Sequence, residues 1–189
     1  DNQLQLTPIK DNMLKNHGYY RHVEKDGSTS GIVSFDGGVL QVFPPQTAGD
    51  EWRIEELISD AASDAVLMDL NGDGEEELCA IAPFHGDTVN IYEKKDGKFE
   101  LAYTHPEKLE FLHAIFGGAI CGKPTWIIGN RKGDRLLLAF THGADGYEIQ
   151  ELDRGRGSAN VLHYVYEGKD IIIGANRETN EIARYELTE

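Results

Sequence analysis

The sequence has few cysteines, no long apolar run and a shortage of basic residues. Its two cysteines, Cys79 and Cys121, belong to no C-x-x-C pair, so zinc-ribbon and dithiol redox chemistry have no support. Both lie in apolar, strand-like surroundings, which predicts two buried thiols and no disulfide. No apolar run approaches the roughly 18 residues that would span a bilayer, and we therefore expect a soluble protein.

Basic residues are outnumbered by acidic ones, 18 to 33, which gives a net charge of −15. This balance argues against nucleic acid or an anionic membrane as a partner, because both attract clustered Lys and Arg. The G-x-S-x-G, P-loop, dinucleotide-binding and H-E-x-x-H motifs are also missing, so the corresponding enzyme classes have no support. The chain begins at Asp1 without Met, which hides any leader and leaves an extracellular or a cytoplasmic location open.

One oxygen-rich loop, D-L-N-G-D-G-E-E-E-L at residues 69–78, leads directly into an apolar segment. Calcium takes six to eight oxygen ligands, and a tight loop supplies them from positions 1, 3, 5, 7 (main chain) and 9. Here those positions are Asp69, Asn71, Asp73, the carbonyl of Glu75, and Glu77. Position 12, which must be Glu in an EF-hand, is Ala80, so an EF-hand is excluded. The loop therefore predicts a Ca²⁺ site, and the alternative is a metal-free Asn-Gly or Asp-Gly turn.

The chain also repeats. A short motif followed by alternating apolar residues recurs with spacings of 47, 49 and 47 residues, and the reference positions of the four copies are His17, Asp64, His113 and Asn160. Each unit contains strand-like segments separated by turn signals such as Asp96-Gly97. Repeats of about 40–50 residues with four strands are typical of β-propeller blades. The sequence thus predicts an all-β, four-bladed propeller in a single domain covering residues 1–189, with blades at about 16–58, 63–104, 112–153 and 159–189 plus 2–9.

The loop signature D-x-N-G-D-G-x-x-(D/E)-L resembles the calcium loop of FG-GAP/VCBS-type β-propeller repeats. The resemblance covers ten residues and occurs once, with Glu77 where that family more often has Asp. It implies that the loop joins the first and second strands of a blade and that the bound ion is structural.

Closure of the ring is a separate question, because the last unit lacks a fourth strand. The apolar-alternating residues 2–9 are predicted to supply it, and Pro8 suits an edge strand. Three arrangements remain open: a compact ring of four antiparallel four-stranded blades, half of a larger ring completed by a second copy in a homodimer, or part of a longer propeller.

The first strand of each blade lines the channel of a propeller, so the four reference residues should converge near one mouth. His17, Asp64, His113 and Asn160 are therefore candidate ligand-binding residues, and His17 and His113 are candidate catalytic bases because histidine titrates near neutrality. The alternative is that they are polar channel residues that bind water. A second set follows the second strands: His85, Arg131 and Arg177. Two guanidinium groups there are predicted to clamp a carboxylate or phosphate, or else to form salt bridges between blades.

Three functions fit these observations. The first is a calcium-stabilised module that binds a glycan, protein or small-molecule ligand. The second is a carbohydrate-active lyase or isomerase with a His/Arg site at the channel mouth, and the third is an assembly subunit. The sequence leaves open whether the protein is an enzyme.

Overall fold

The fold consists of four antiparallel β-sheets arranged as the blades of a β-propeller. A computed structural model describes residues 4–186. Within this part of the chain there are fifteen strands and one 3-10 turn, Arg177–Thr179, and no α-helix. None of these described residues forms a helix that could cross a membrane.

Each blade takes its strands consecutively from the chain. Blade 1 contains β1 (Tyr19–Val23), β2 (Thr29–Phe35), β3 (Gly38–Phe43) and β4 (Arg53–Ile58). Blade 2 contains β5 (Asp64–Met68), β6 (Glu77–Ala82), β7 (Thr88–Lys95) and β8 (Lys98–Thr104). Blade 3 contains β9 (Leu112–Ile120), β10 (Lys123–Asn130), β11 (Leu137–Gly143) and β12 (Gly146–Asp153). Blade 4 contains β13 (Ser158–Tyr166), β14 (Lys169–Asn176) and β15 (Glu181–Glu186). The predicted all-β propeller with four repeating units is confirmed.

Apolar clusters between neighbouring blades form the core. Successive residues of a strand point to opposite faces of its sheet, so a strand in an inner blade contributes to two clusters. In β6, Leu78 packs toward blade 1 while Cys79 packs toward blade 3. In β10, Ile127 packs toward blade 4 and Ile128 toward blade 2. The second strands of these blades are therefore continuous apolar runs, because both of their faces are covered.

The prediction that an N-terminal strand closes the last blade is wrong for residues 4–9. Residues 4–18 contain no strand, and the last sheet has three strands; residues 2 and 3 lie outside the described part. Ile9 and Met13 instead line a groove of about 480 Å³ on blade 1, together with Tyr19 and Trp52. Ile9 therefore lies beside blade 1, and not at the edge of the last sheet where the prediction placed it. The homodimer and the larger ring remain predictions.

The two cysteines have different environments. Cys79 is fully buried in β6 as predicted, whereas Cys121 is exposed, which corrects its prediction. Cys121 and Gly122 form the turn between β9 and β10, with φ angles of 49° and 73°. A two-residue hairpin turn of this kind needs positive φ at both positions, and this requirement places Cys121 at the surface.

Candidate functional site

Three histidines from three blades meet at one point. His17 precedes β1, His85 lies in the loop between β6 and β7, and His113 is the second residue of β9. The ring of His17 is 4.9 Å from that of His85 and 5.5 Å from that of His113, and the last two rings are 5.4 Å apart. We call these three residues the histidine cluster.

Main-chain carbonyl groups orient two of the three imidazole rings. His17 Nδ1 lies 3.2 Å from the carbonyl oxygen of Ser63, and His113 Nδ1 lies 2.7 Å from that of Ala159. A carbonyl oxygen only accepts hydrogen bonds, so each Nδ1 carries the proton and donates it. In the neutral form of each ring, Nε2 then carries the lone pair. The two bonds are equivalent in the repeat, because Ser63 and Ala159 each precede the reference residue of the next blade.

The loop that carries His85 is held by the backbone on both sides. The Gly86 amide donates to the Pro83 carbonyl at 2.9 Å, and the Gly86 carbonyl accepts from the Leu112 amide at 2.9 Å. A Cβ atom on Gly86 would lie 2.0 Å from the Ala82 carbonyl oxygen, so only glycine fits there. His85 has a φ of 45°, and its ring stacks on Phe84 at 4.2 Å. The loop is therefore held against the first residue of β9, and His85 lies beside His113 in space.

Burial lowers the pKa of both His85 and His113, and the positive charge of Arg131 lowers each pKa further. For His113 the hydrogen bond to the Ala159 carbonyl opposes this change. These two imidazoles are consequently neutral at neutral pH, the form in which they accept protons or bind metal ions.

The two arginines predicted to clamp a ligand converge on a carboxylate of the chain itself. Arg131 Nη2 and Nε donate to Glu178 Oε1 at 2.9 and 3.1 Å, and Arg177 Nη1 lies 3.2 Å from the same oxygen. The Arg131 guanidinium also lies 4.8 Å from the ring of Phe111. The hydrogen bond from Arg131 is the largest cause that lowers the pKa of Glu178. The contacts match the salt-bridge alternative between blades 3 and 4.

Asp64 and Asn160 hold equivalent positions in blades 2 and 4. Asp64 Oδ1 accepts a hydrogen bond from the Ala65 amide at 3.0 Å, and Asn160 Oδ1 accepts one from Val161 at 2.9 Å. Burial raises the pKa of Asp64 to about 7. A Cβ atom on Gly18 would lie 2.5 Å from Asp64 Cα, so glycine allows the chain to pass close to Asp64 and bring His17 to blade 2.

Of the seven predicted ligand-binding residues, the structure therefore brings His17, His85 and His113 into one cluster. Asn160 is exposed and its side-chain oxygen is engaged by its own strand. The sequence interpretation missed Phe111, whose ring lies 4.8 Å from that of His85. The available signal was its position two residues before His113.

The oxygen-rich loop lies between β5 and β6, the first and second strands of blade 2. Gly72 and Gly74 have φ angles of 77° and 92°, which the sharp turn requires. Asp69 accepts hydrogen bonds from the amides of both glycines at 2.6 and 3.0 Å, and Glu77 accepts one from the Leu70 amide at 2.7 Å. The loop thus joins the first and second strands of its blade, the position that the resemblance implied, and the bound ion stays a prediction.

The residues of this loop are chemically suited to calcium. Glu77 is only 2% exposed, and burial together with the charges of Asp73 and Asp69 raises its pKa. Within residues 4–186 no ion pair involves Glu77. A buried carboxylate beside two other carboxylates is the arrangement that a hard cation relieves. The donors Asp69, Asn71, Asp73 and Glu77, with the carbonyl of Glu75, would hold the ion.

The histidine cluster is the tighter of the two ligand sets. In the described part of the chain, it is the one group of three His, Cys, Asp or Glu side chains whose ligand atoms all lie within 4.8 Å of one another. The loop carboxylates do not form such a group.

No known protein family and no curated protein matches the sequence. Among solved structures, the chain is similar to a candidate 6-phosphogluconolactonase from Bacteroides fragilis, with a TM-score of 0.59, 16% identity, and coverage of 92% of this chain and 51% of that one. A second candidate 6-phosphogluconolactonase, from Bacteroides uniformis, matches with a TM-score of 0.59, 15% identity and the same coverage, 92% and 51%. The likeness supports the propeller fold, and the chain spans about half the length of these structures.

Proposed function

We propose that the protein is a carbohydrate-active propeller, with lyase or isomerase chemistry, whose reaction centre is the histidine cluster at the channel mouth. The observation that carries this proposal is the convergence of three imidazoles, two of which donate from Nδ1 to carbonyl groups, so that Nε2 carries the lone pair in the neutral ring. Such nitrogens are the basic groups that proton transfer or metal-assisted chemistry on a sugar requires. The names of the two structural neighbours point to a sugar-derived substrate, although a shared fold does not fix function.

The surroundings of the cluster favour a polyhydroxylated substrate rather than one held mainly by its charge. Glu178 engages both Arg131 and Arg177, so the positive charge of the pair is partly compensated within the chain. Phe84 and Phe111 flank His85 and add apolar surface beside the cluster, which suits the C–H groups of a sugar. We therefore assign substrate contact to the histidines and phenylalanines, and a positioning role to Arg131.

Turnover should depend on the histidines. We expect the double variant His17→Ala/His113→Ala to lose at least about 100-fold in turnover, the usual contribution of a positioned acid-base group. A panel of sugar acids, lactones and oligosaccharides followed by NMR provides the assay. His142→Ala, at an exposed histidine of blade 3, is the matched control and should retain activity. Activity that persists in the double variant would remove the cluster from the mechanism.

The second candidate function is a calcium-stabilised module that binds a glycan or protein ligand without turnover. It is favoured by the oxygen-rich loop. It is also favoured by the pairing of Arg131 and Arg177 with Glu178, because arginines paired within the chain need no substrate. In this case the ion bound by Asp69, Asn71, Asp73, Glu75 and Glu77 stabilises blade 2, because it ties β5 to β6.

Removal of calcium should lower the melting temperature if the loop binds it. An ion present at 100 times its Kd stabilises the native state by about 2.7 kcal/mol, and for a chain of this length that corresponds to about 5–10 °C. Thermal unfolding in excess Ca²⁺ and in EGTA measures the difference. The variant Asp69→Asn/Asp73→Asn should melt at the same temperature in both solutions. An identical melt of the unaltered protein with and without EGTA would leave the loop as an ordinary turn.

A further inference from the structure

The histidine cluster has the composition and spacing of a metal site. We propose that His17, His85 and His113 together bind one divalent transition-metal ion, of which Zn²⁺ is the representative, through three imidazole nitrogens. The inference deepens the proposed function, because it names the group that the histidines hold, and it concerns a different ion and a different place from the calcium loop.

Distances between the nitrogen atoms support this assignment. Two nitrogens that bind one Zn²⁺ at about 2.0–2.1 Å in tetrahedral geometry lie about 3.3 Å apart. Nε2 of His17 lies 3.3 Å from Nε2 of His85. The ligand atom of His113 is within 4.8 Å of both, so it would have to approach by at most about 1.5 Å to complete the triangle.

The bonds behind the imidazoles are those that accompany metal-binding histidines. A ligating histidine usually donates its other N–H to a carbonyl or carboxylate group, which fixes the ring and its tautomer. His17 and His113 do this with the carbonyls of Ser63 and Ala159. On the opposite side of its ring, His17 has Nε2 within 3.3 Å of Nε2 of His85.

The charge around the cluster permits a cation. The charge of Arg131 acts on both His85 and His113, and its guanidinium is compensated by Glu178 at 2.9 Å. The ligands themselves are neutral nitrogens, which suit zinc, nickel or copper, whereas calcium and magnesium prefer oxygen. The donor set therefore separates this site from the loop of blade 2.

The fourth coordination position should be open. His17 is exposed and His85 and His113 are half-buried, so the ion would face solvent at the channel mouth. Three protein ligands with one open position distinguish catalytic zinc sites from structural ones, which are closed by four protein ligands. A water molecule or a substrate oxygen is therefore expected as the fourth ligand.

Zinc titration of the whole chain tests the proposal. Protein without a histidine tag is stripped with chelator, returned to buffer with excess Ca²⁺, and titrated with Zn²⁺ by calorimetry. We expect one Zn²⁺ per chain, and at least about 100-fold weaker binding in His85→Ala, since loss of even an outer-shell partner of a ligand costs about 10–100-fold. His142→Ala and Asp69→Asn/Asp73→Asn should bind Zn²⁺ as the unaltered protein does. Co²⁺ added in place of Zn²⁺ should give the visible absorption of a four-coordinate site, lost in the same variant.

Folding of each variant is checked by circular dichroism, and His17→Asn, at an exposed position, serves as a second variant if His85→Ala is unfolded. Absence of Zn²⁺ binding in the unaltered protein, or binding in His85→Ala and His17→Asn as tight as in the unaltered protein, overturns the metal site. Histidine-dependent turnover without Zn²⁺ binding would overturn this inference but not the proposed function. Zn²⁺ binding with no turnover on any sugar would support the metal site and count against the proposed function.

Discussion

Replacement of Trp126 by Ala is expected to lower the free energy of unfolding by about 3–5 kcal/mol, the usual cost of deleting a large buried aromatic side chain. Trp126 lies in β10 and is 0% exposed, and it belongs to the apolar cluster between blades 2 and 3. Its strand partners are Phe140 on one side and Gly117 on the other. The melting temperature should fall by roughly 6–20 °C for a chain of this size.

The size of this effect follows from how the indole is packed. A Cβ atom on Gly117 would lie 3.2 Å from Trp126 Cδ1, so the absence of a side chain at Gly117 makes room for the ring. The Gly117 carbonyl also accepts a hydrogen bond from Tyr20 of blade 1 at 2.7 Å, which limits how far the backbone can collapse into a cavity. Trp126 Nε1 has no hydrogen-bond partner among residues 4–186, so the substitution removes no hydrogen bond within this part of the chain.

The other tryptophan is a matched control. Trp52 is 47% exposed at the groove on the outer face of blade 1, and Trp52→Ala should cost less than about 1 kcal/mol. Urea unfolding of both variants, followed by circular dichroism, provides the comparison. Equal losses for the two variants would mean that the cluster between blades 2 and 3 is not the centre of the core.

The propeller could be predicted from the sequence because its repeat is both regular and local. The reference positions Asp64, His113 and Asn160 each lie within the first three residues of a first strand. Turn signals such as Asp96-Gly97 occur where β7 ends and β8 begins. The N-terminal strand could not be predicted in the same way. An alternating apolar pattern indicates that a segment can pair with a sheet, but it does not indicate which sheet edge or face the segment will contact. Here Ile9 lies at the groove on blade 1.

The site was only partly predictable for a related reason. His17 and His113 occupy equivalent positions in the repeat, and the sequence therefore predicts that they lie close together. The structure agrees, because each ring donates to the carbonyl group that precedes the reference residue of the next blade. His85 reaches them from a different position of the repeat, through a loop whose shape depends on Gly86 and a positive φ at His85 itself. Such loop geometry has no periodic signal. The pairing of Arg131 with Glu178 likewise depends on a turn in the next blade.

Asp64, which is equivalent to His17 and His113 in the sequence repeat, makes the stability of the protein depend on pH. Burial raises its pKa from 3.8 to about 7 in the folded protein, so between about pH 4 and pH 7 the folded state retains a proton that the unfolded state has lost. The contribution of Asp64 is therefore favourable at low pH and is lost as the pH rises through the folded-state pKa. A difference of this size corresponds to an upper limit of about 4 kcal/mol.

Asp64→Asn should remove this dependence, because an amide does not titrate and Asn keeps the side-chain oxygen that accepts from Ala65. The chain already contains this arrangement, since Asn160 makes the equivalent bond to Val161 in blade 4. Relative to the unaltered protein, the variant should gain at most about 2.7 kcal/mol between pH 5 and pH 8, because about two of the three pH units of the shift lie above pH 5. Urea unfolding at the two pH values, with chelator present so that no metal ion affects the carboxylate, measures the gain.

Asp145→Asn, at an exposed carboxylate in the turn between β11 and β12, controls for the loss of one negative charge from a chain of net charge −15. Its stability relative to the unaltered protein should change little with pH. If Asp64→Asn and Asp145→Asn gained equally at the higher pH, general charge repulsion and not burial would be the cause. A gain confined to Asp64→Asn would mean that burial of the Asp64 carboxylate lowers the stability of the protein. Gly18 lies close to Asp64 and also positions His17, so this loss of stability accompanies the placement of His17.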